Sequence, residues 1–363
     1  MVKTHLFLTC ARLGLADLWR IKKYFGSFDE ATRGKLGEFL QAGLDELKFE
    51  FLKQHIADFD AEIDLMNLEN QGAELITIDD PLYPEILRNI YLAPVGFYAR
   101  GDKTLLGQFE RFFAVVGPRR PSRYGIAVAE IFSSCLAQNG MILVSGLAQG
   151  IDAIAHRQAL ISGVPTIAVL GSDIMNIFPR FHTELAANII DKGGLIISES
   201  PPGKSIKKFN FAIRNRIISG LSRGVLVAEA GKRSGGLITA RLGFEQNRNI
   251  YTVPNAIFEE NSIGSNRLIA SHVAKPVFTP YAILEELNIS VVKKSRDERG
   301  HKKLNLDKNE ELTLKKLRSN PKHLHLIQEE TGLSLKNLLI VLSNLEIKGL
   351  AENIGQLSYV RVR

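Results

Sequence analysis

Cysteine is scarce in this 363-residue chain: Cys10 and Cys135 stand alone, and no CxxC pair occurs. That excludes a disulfide framework and a zinc centre built from cysteine alone, so neither a metal nor a cofactor is expected. Cys135 falls on the apolar face of an expected helix and reads as a small buried hydrophobe. Long apolar runs are also missing. None approaches the roughly 18 to 20 residues of a spanning helix, so no membrane association is expected. A short LFLTCA run near the start is interrupted by Arg12 with no cleavage site after it, which makes a cytoplasmic protein the expectation.

Several nucleotide and hydrolase signatures are absent too. No GxGxxG follows the first apolar strand with an acidic residue about twenty positions on, and no GxSxG surrounds Ser145. Gly203-Lys204-Ser205 resembles the end of a phosphate loop. There, however, Ser198 replaces the earlier glycine, and Pro201 and Pro202 fill the interior. Acidic residues are in the minority, 39 against 46 Lys and Arg, for a net charge of +7. That balance leans toward an acidic partner such as nucleic acid and says nothing about fold.

What is present is alternation. From Phe112 to about Leu287, apolar runs at 112–116, 141–144, 166–170, 195–197, 225–228 and 250–253 alternate with helical stretches at 126–138, 152–161, 182–191, 213–221 and 237–246. Strand then helix, repeated, implies an α/β fold with a mostly parallel sheet covered on both faces. Residues 1–70 read as a small helical domain, and 71–111 as an extended lead-in to a central domain spanning 71–289. Residues 290–307 read as a basic linker. Residues 308–363 follow a helix, helix-turn-helix and hairpin pattern, that of a winged helix. Its third helix has only Lys336 and Lys348 as cations, which favours a protein contact over duplex binding.

Ligands of such sheets sit beyond the carboxyl ends of the strands. After the first strand come Gly117, Arg119, Arg120 and Arg123, suited to phosphate through guanidinium forks and close backbone approach. Ser145 to Gly150 is a small-residue loop opening a helix, with Asp152 complementing the helix dipole. Asp152 and His156, four apart on one face, suit an acid–base pair or structural hydrogen bonding, the latter being the expectation. Lys207 and Lys208 precede Arg214, Asn215 and Arg216. The two arginines are two residues apart and do not share a helix face, so one is expected to reach a ligand and the other to brace a loop. Gly231 to Thr239, with Ser234 and Gly235, forms a third helix-opening loop suited to phosphate.

The segments VGPRRPSRYG, SGLAQGIDAIAHRQAL, FPRFHTEL, GGLIISESPPG, FAIRNRIISGLS and AEAGKRSGGLITARLGFEQNR closely resemble the DprA family (DNA-processing protein A, also called Smf). The resemblance reaches back through YPEILRNIYLAPVGFYARGD and on to SIGSNRLI and GQLSYVRV. It implies a Rossmann-like domain with an N-terminal helical (SAM/HhH-like) domain and a winged-helix tail. It also implies a homodimer that binds and protects single-stranded DNA and passes it to the RecA recombinase in natural transformation, without catalysis. The resemblance assigns DNA contact to Gly117, Arg119, Ser145, Gly146, Ala148, Gly150, Arg214, Asn215 and Arg216. Arg120, Ser122, Lys207, Lys208, Ser234 and Gly235 complete the expected set. The chain departs from the family pattern at Ala212 (usually proline), at Asn255 (usually glycine) and at His272-Val273 (usually Gly-Ala). The alternative is a nucleoside monophosphate phosphoribohydrolase of the LOG type. Such enzymes use a PGGxGT loop with a nearby glutamate, whereas here Ser234 to Thr239 and Glu229 stand in the corresponding places.

Overall fold

The central strands are apolar at every position because both faces of their sheet are covered. In the computed structural model, which describes residues 1–204, 207–290, 306–318 and 320–362, the chain divides into two compact units, Met1–Val291 and Val292–Arg363. The first unit opens with helices α1 (Val2–Thr9), α2 (Leu15–Phe25), α3 (Phe28–Ala31), α4 (Leu36–Gln41), α5 (Glu46–Asp58) and α6 (Ala61–Asn70). There follow β1 (Ala73–Thr77), α7 (Glu85–Arg88), β2 (Gly96–Gly101), β3 (Phe112–Val116), α8 (Arg123–Gln138), β4 (Ile142–Ser145), α9 (Ile151–Ile161) and β5 (Thr166–Leu170). Then come α10 (Thr183–Asp191), β6 (Leu195–Ser198), α11 (Lys208–Leu221), β7 (Gly224–Val227), α12 (Gly235–Glu245), β8 (Asn249–Thr252), α13 (Ile263–Ala270), β9 (Lys275–Pro276) and α14 (Pro280–Glu286).

Among the described residues nine strands form one sheet, in the order β1-β2-β6-β5-β4-β3-β7-β8-β9. Pairing is parallel from β6 through to β9, and antiparallel only where β2 meets β6 and β1 meets β2. The fold is therefore α/β with a mostly parallel sheet, as the alternation predicts. Successive residues of β3 serve opposite faces. Phe112, Ala114 and Val116 pack with Ile217 and Ile218 of α11 and Ala240 of α12, while Phe113 and Val115 pack with Val128 and Phe132 of α8. The N-terminal helices share a core with the sheet, since Phe7, Leu8 and Ile21 cluster with Tyr98, Leu170 and Ile196. The Trp19 indole N–H donates to the Ala93 carbonyl at 2.7 Å, tying α2 to the lead-in segment.

Helix α11 starts at Lys208, earlier than the apolar periodicity implies, and α13, α14 and β9 have no counterpart in the periodic pattern. The second unit contains α15 (Lys308–Lys316), β10 (Lys322–His323), α16 (Leu324–Thr331), α17 (Leu335–Ile347), β11 (Ala351–Asn353) and β12 (Ser358–Arg361), with strand order β10-β12-β11. An Asp307 capping box starts α15, and Glu310 from the same box accepts from Lys348 at 2.6 Å. Most of the expected basic linker, 291–305, and Ser205 of the Gly203-Lys204-Ser205 triplet lie outside the described residues. Among the described residues no helix is long and apolar enough to cross a membrane.

Candidate functional site

Strand β3 has β4 on one side and β7 on the other, so the chain builds the sheet outward through β4, β5 and β6 and then crosses back to β7. That reversal leaves a crevice beyond the carboxyl ends of β3 and β7, the place where open α/β sheets hold ligands. A cavity of about 430 Å³ lies there. Its walls come from Gly117, Pro118 and Arg119 after β3, Ala148 and Asp152 after β4, Lys208, Phe211, Ala212, Arg214 and Asn215 of α11, and Arg233 to Gly236, Ile238 and Thr239 at the start of α12.

The loops are laced together by backbone. Gly150 takes φ 86° and ψ −128° to open α9, a conformation that favours glycine, and the Ile151 N–H donates to the Pro118 carbonyl at 3.3 Å. Gly146 has no room for a side chain. A Cβ there would lie 2.5 Å from the Arg214 guanidinium and 2.7 Å from the Asp152 carboxylate. Asp152 accepts the Gly146 N–H at 3.1 Å. Burial raises its carboxyl above the ordinary range, opposed by the adjacent Arg214 charge and the backbone donors of Ala148 and Gly146. Arg214, 6% exposed, donates to the carbonyls of Gly146 at 2.9 Å and of Val169. Burial lowers its pKa to about 10, partly offset by Asp152. The Asp152–Arg214 pair thus forms a nearly neutral floor, and the cavity's cationic character comes from Arg119, Lys208 and Arg233, all exposed.

On the α12 side, Ser234 caps the helix through the Gly236 N–H, and Gly235 and Gly236 line the cavity, presenting backbone donors at a helix start. On the opposite wall the Arg119 guanidinium lies 5.7 Å from the centre of the Phe211 ring, within cation–π range.

Of the expected set, Gly117, Arg119, Ala148, Lys208, Arg214, Asn215, Ser234 and Gly235 line the cavity. The others stand elsewhere. Arg120 and Lys207 are exposed outside the lining. Ser145 is fully buried and donates to the Val115 carbonyl at 2.7 Å, and Gly146 and Gly150 shape the loop from beneath. Ser122 caps α8 by accepting from Gly125 N–H, while its own N–H and hydroxyl donate to Glu229 at 2.8 and 2.5 Å. Arg216 is 7% exposed, donates to Glu199 at 2.5 Å and is not among the lining residues, so it is the arginine of the two that braces a loop. Of the two arginines neither is a freely presented ligand group, because both guanidiniums are held by the protein. Sequence reasoning passed over Phe211 as a lining residue, while Arg233 and Thr239 fall within the Gly231 to Thr239 loop it singled out for phosphate.

Glu229 is 1% exposed, accepts from the Ser122 N–H and hydroxyl and is not among the lining residues, so it is a structural acceptor that holds the cap of α8 in place. His156 is likewise structural. The Thr166 hydroxyl donates its only proton to the Leu143 carbonyl, so His156 Nδ1–H donates to Thr166 Oγ1 at 2.8 Å. Burial, then the nearby His182 and Arg214, lower its pKa to about 3. Among the described residues no cluster of His, Cys, Asp or Glu could hold a metal.

A family model described as DNA recombination-mediator protein A matches residues 74–288. DNA processing protein DprA of Bacillus subtilis is 36% identical over 245 residues, covering 67% of this chain and 82% of that protein. Protein Smf of Escherichia coli is 42% identical over 231 residues, 63% of this chain and 61% of that one. Among solved structures, DNA processing protein A from Streptococcus pneumoniae superposes with a TM-score of 0.68 at 33% identity, covering 79% of this chain and 98% of that chain. DNA processing protein A from Helicobacter pylori, whose structure concerns a single-stranded DNA binding mode, superposes with a TM-score of 0.53 at 28% identity. It covers 59% of this chain and 95% of that chain.

Proposed function

The chain belongs to the DNA recombination-mediator protein A family, and from that premise we propose that it is a non-catalytic binder of single-stranded DNA. It protects an incoming strand and loads the RecA recombinase onto it, acting as a cytoplasmic homodimer. One observation carries the DNA reading: a cavity at the sheet's reversal point joins Arg119, Lys208 and Arg233 to backbone donors at the start of α12. Phosphate is the group that such a combination recognises, and no donor set there selects a particular base. The Helicobacter pylori relative, described by its single-stranded DNA binding mode, supports the same ligand class. The element order of residues 308–362 supports a winged helix. The exposed Leu335, Leu339 and Ile340 of α17 favour a protein contact for it over a phosphate backbone.

The test is anisotropy with labelled oligo-dT across a salt series. With about four phosphates engaged, log K falls against log salt with a slope near −3, at about −0.7 per phosphate. Arg119→Ala weakens binding and flattens the slope by about 0.7. Unchanged affinity and slope in that variant would remove the site. Incubation with nucleoside monophosphates is expected to release no free base, because Glu229 is committed to Ser122; release of base would restore the phosphoribohydrolase alternative.

A further inference from the structure

Beside the cavity stands an aromatic ring with no evident structural reason to face solvent. Phe178, in the turn between β5 and α10, is 40% exposed. A large apolar ring at the surface is unremarkable when its loop is loose, but this loop is held at both ends. Asp173, itself buried, accepts the backbone N–H groups of Met175 at 2.9 Å and Asn176 at 3.0 Å, and the Asn176 side-chain amide at 2.9 Å. At the far end, buried His182 donates through Nδ1 to the Leu147 carbonyl at 2.8 Å. The ring is therefore presented by a fixed scaffold.

Its neighbours form a continuous path out of the cavity. Phe178 packs against Phe211 with ring centres 5.4 Å apart at 48°. Phe211 lines the cavity and sits so close over the end of β5 that a Cβ on Gly171 would lie 2.6 Å from its ring. The Arg119 guanidinium is 5.7 Å from that same ring. A phosphate held at Arg119 would thus have its own nucleotide's base within reach of Phe211 and the next base within reach of Phe178. Phe209 is also exposed, but the Lys207 ammonium already lies 5.9 Å from its centre, and it is not joined to the cavity by ring contacts among the described residues.

We infer that Phe178 is a base-stacking shelf for single-stranded nucleic acid, so that the strand leaves the phosphate cavity over the carboxyl end of β5 and not toward β8. This inference rests on the single-strand reading above. It adds to that reading a contact that senses an unpaired base, which a phosphate-only cradle lacks. Stacking on an aromatic side chain tolerates any base, since every base has a π-face, but a duplex keeps its bases paired and stacked on each other.

The experiment compares oligo-dT with an abasic oligonucleotide of equal length, using the full chain. Phe178→Ala is expected to weaken oligo-dT binding roughly fivefold or more, with the abasic strand and the salt slope unchanged. Equal losses on both strands, or none on oligo-dT, would overturn the shelf. Phe178→Trp supplies a second readout: its fluorescence is expected to be quenched by oligo-dT and not by the abasic strand, against a constant background from Trp19. If circular dichroism shows the alanine variant to be unfolded, the tryptophan variant decides, and absence of quenching overturns the inference. Wild-type protein that binds neither strand would instead sink the single-strand reading itself.

Discussion

Arg216 ends in a buried ion pair with Glu199 at 2.5 Å, and its Nε and Nη1 meet no hydrogen-bond partner among the described residues. Two residues earlier, Arg214 turns to the other side of α11 and grips the carbonyls at the ends of β4 and β5. Their spacing made it clear that they would part company, because side chains two apart on a helix project in different directions. It could not say that both would be held internally, since that depends on Glu199 and Val169 being brought in from other strands. Removing Arg216 leaves Glu199 without its partner in a site largely closed to water. Arg216→Ala is therefore expected to lower stability by about 2 to 4 kcal/mol in urea unfolding, while oligo-dT affinity, measured where both proteins are folded, stays at the wild-type level. A large loss of affinity with little loss of stability would return Arg216 to the ligand.

At the scale of elements, helix ends decide most of the site. Helix α8 begins where Ser122 caps it and Glu229, arriving from beyond β7, holds Ser122 in turn. The serine is a readable capping residue, but its partner 107 positions away is not readable from local sequence. Helix α13 ends differently. His272 follows it with φ 55°, in the left-handed region where a Cβ is crowded, and its N–H donates to the Ile269 carbonyl at 3.0 Å. The resemblance implies a glycine at this position, and the strain supplies the physical reason for one. Asn255, the other glycine replacement, has no such φ and is clasped by Asn266, which accepts its N–H at 3.3 Å and donates to its carbonyl at 3.0 Å. His272→Gly is accordingly expected to raise stability by about 1 kcal/mol, read as a higher denaturation midpoint with an unchanged m-value. A lower midpoint would mean that the histidine side chain contributes more than its backbone strain costs.

Across the whole first unit, burial of histidines couples folding to pH. His156 is buried beneath the site with its pKa lowered to about 3, and burial lowers His5 and His55 as well. The unfolded chain binds a proton at His156 near and below pH 6.5 while the folded chain does not, and His5 and His55 shift in the same direction, so stability rises with pH through this range. It is complete above about pH 6.5 and falls toward pH 3, with His156 alone contributing about 1.4 kcal/mol per pH unit. Urea midpoints between about pH 5 and 6.5 are expected to drop steeply for the wild type and less steeply for His156→Gln. Parallel slopes would show that His156 takes up its proton in the folded state.

The α/β class and the helix-opening loops of the cavity were legible in the chain, for one reason. Apolar runs buried on both faces, punctuated by glycine and serine, are local patterns, and a parallel sheet converts them into strands whose loops gather along one rim. Tertiary structure alone decided the reversal of strand order and which members of that rim face the cavity. It turned Arg214 and Arg216 inward, assigned Ser122 and Glu229 to each other, and set Phe211 and Phe178 in line beside Arg119. Those outcomes depend on partners far apart in the chain, and the direction of a side chain is settled only when such partners compete for the same space and charge.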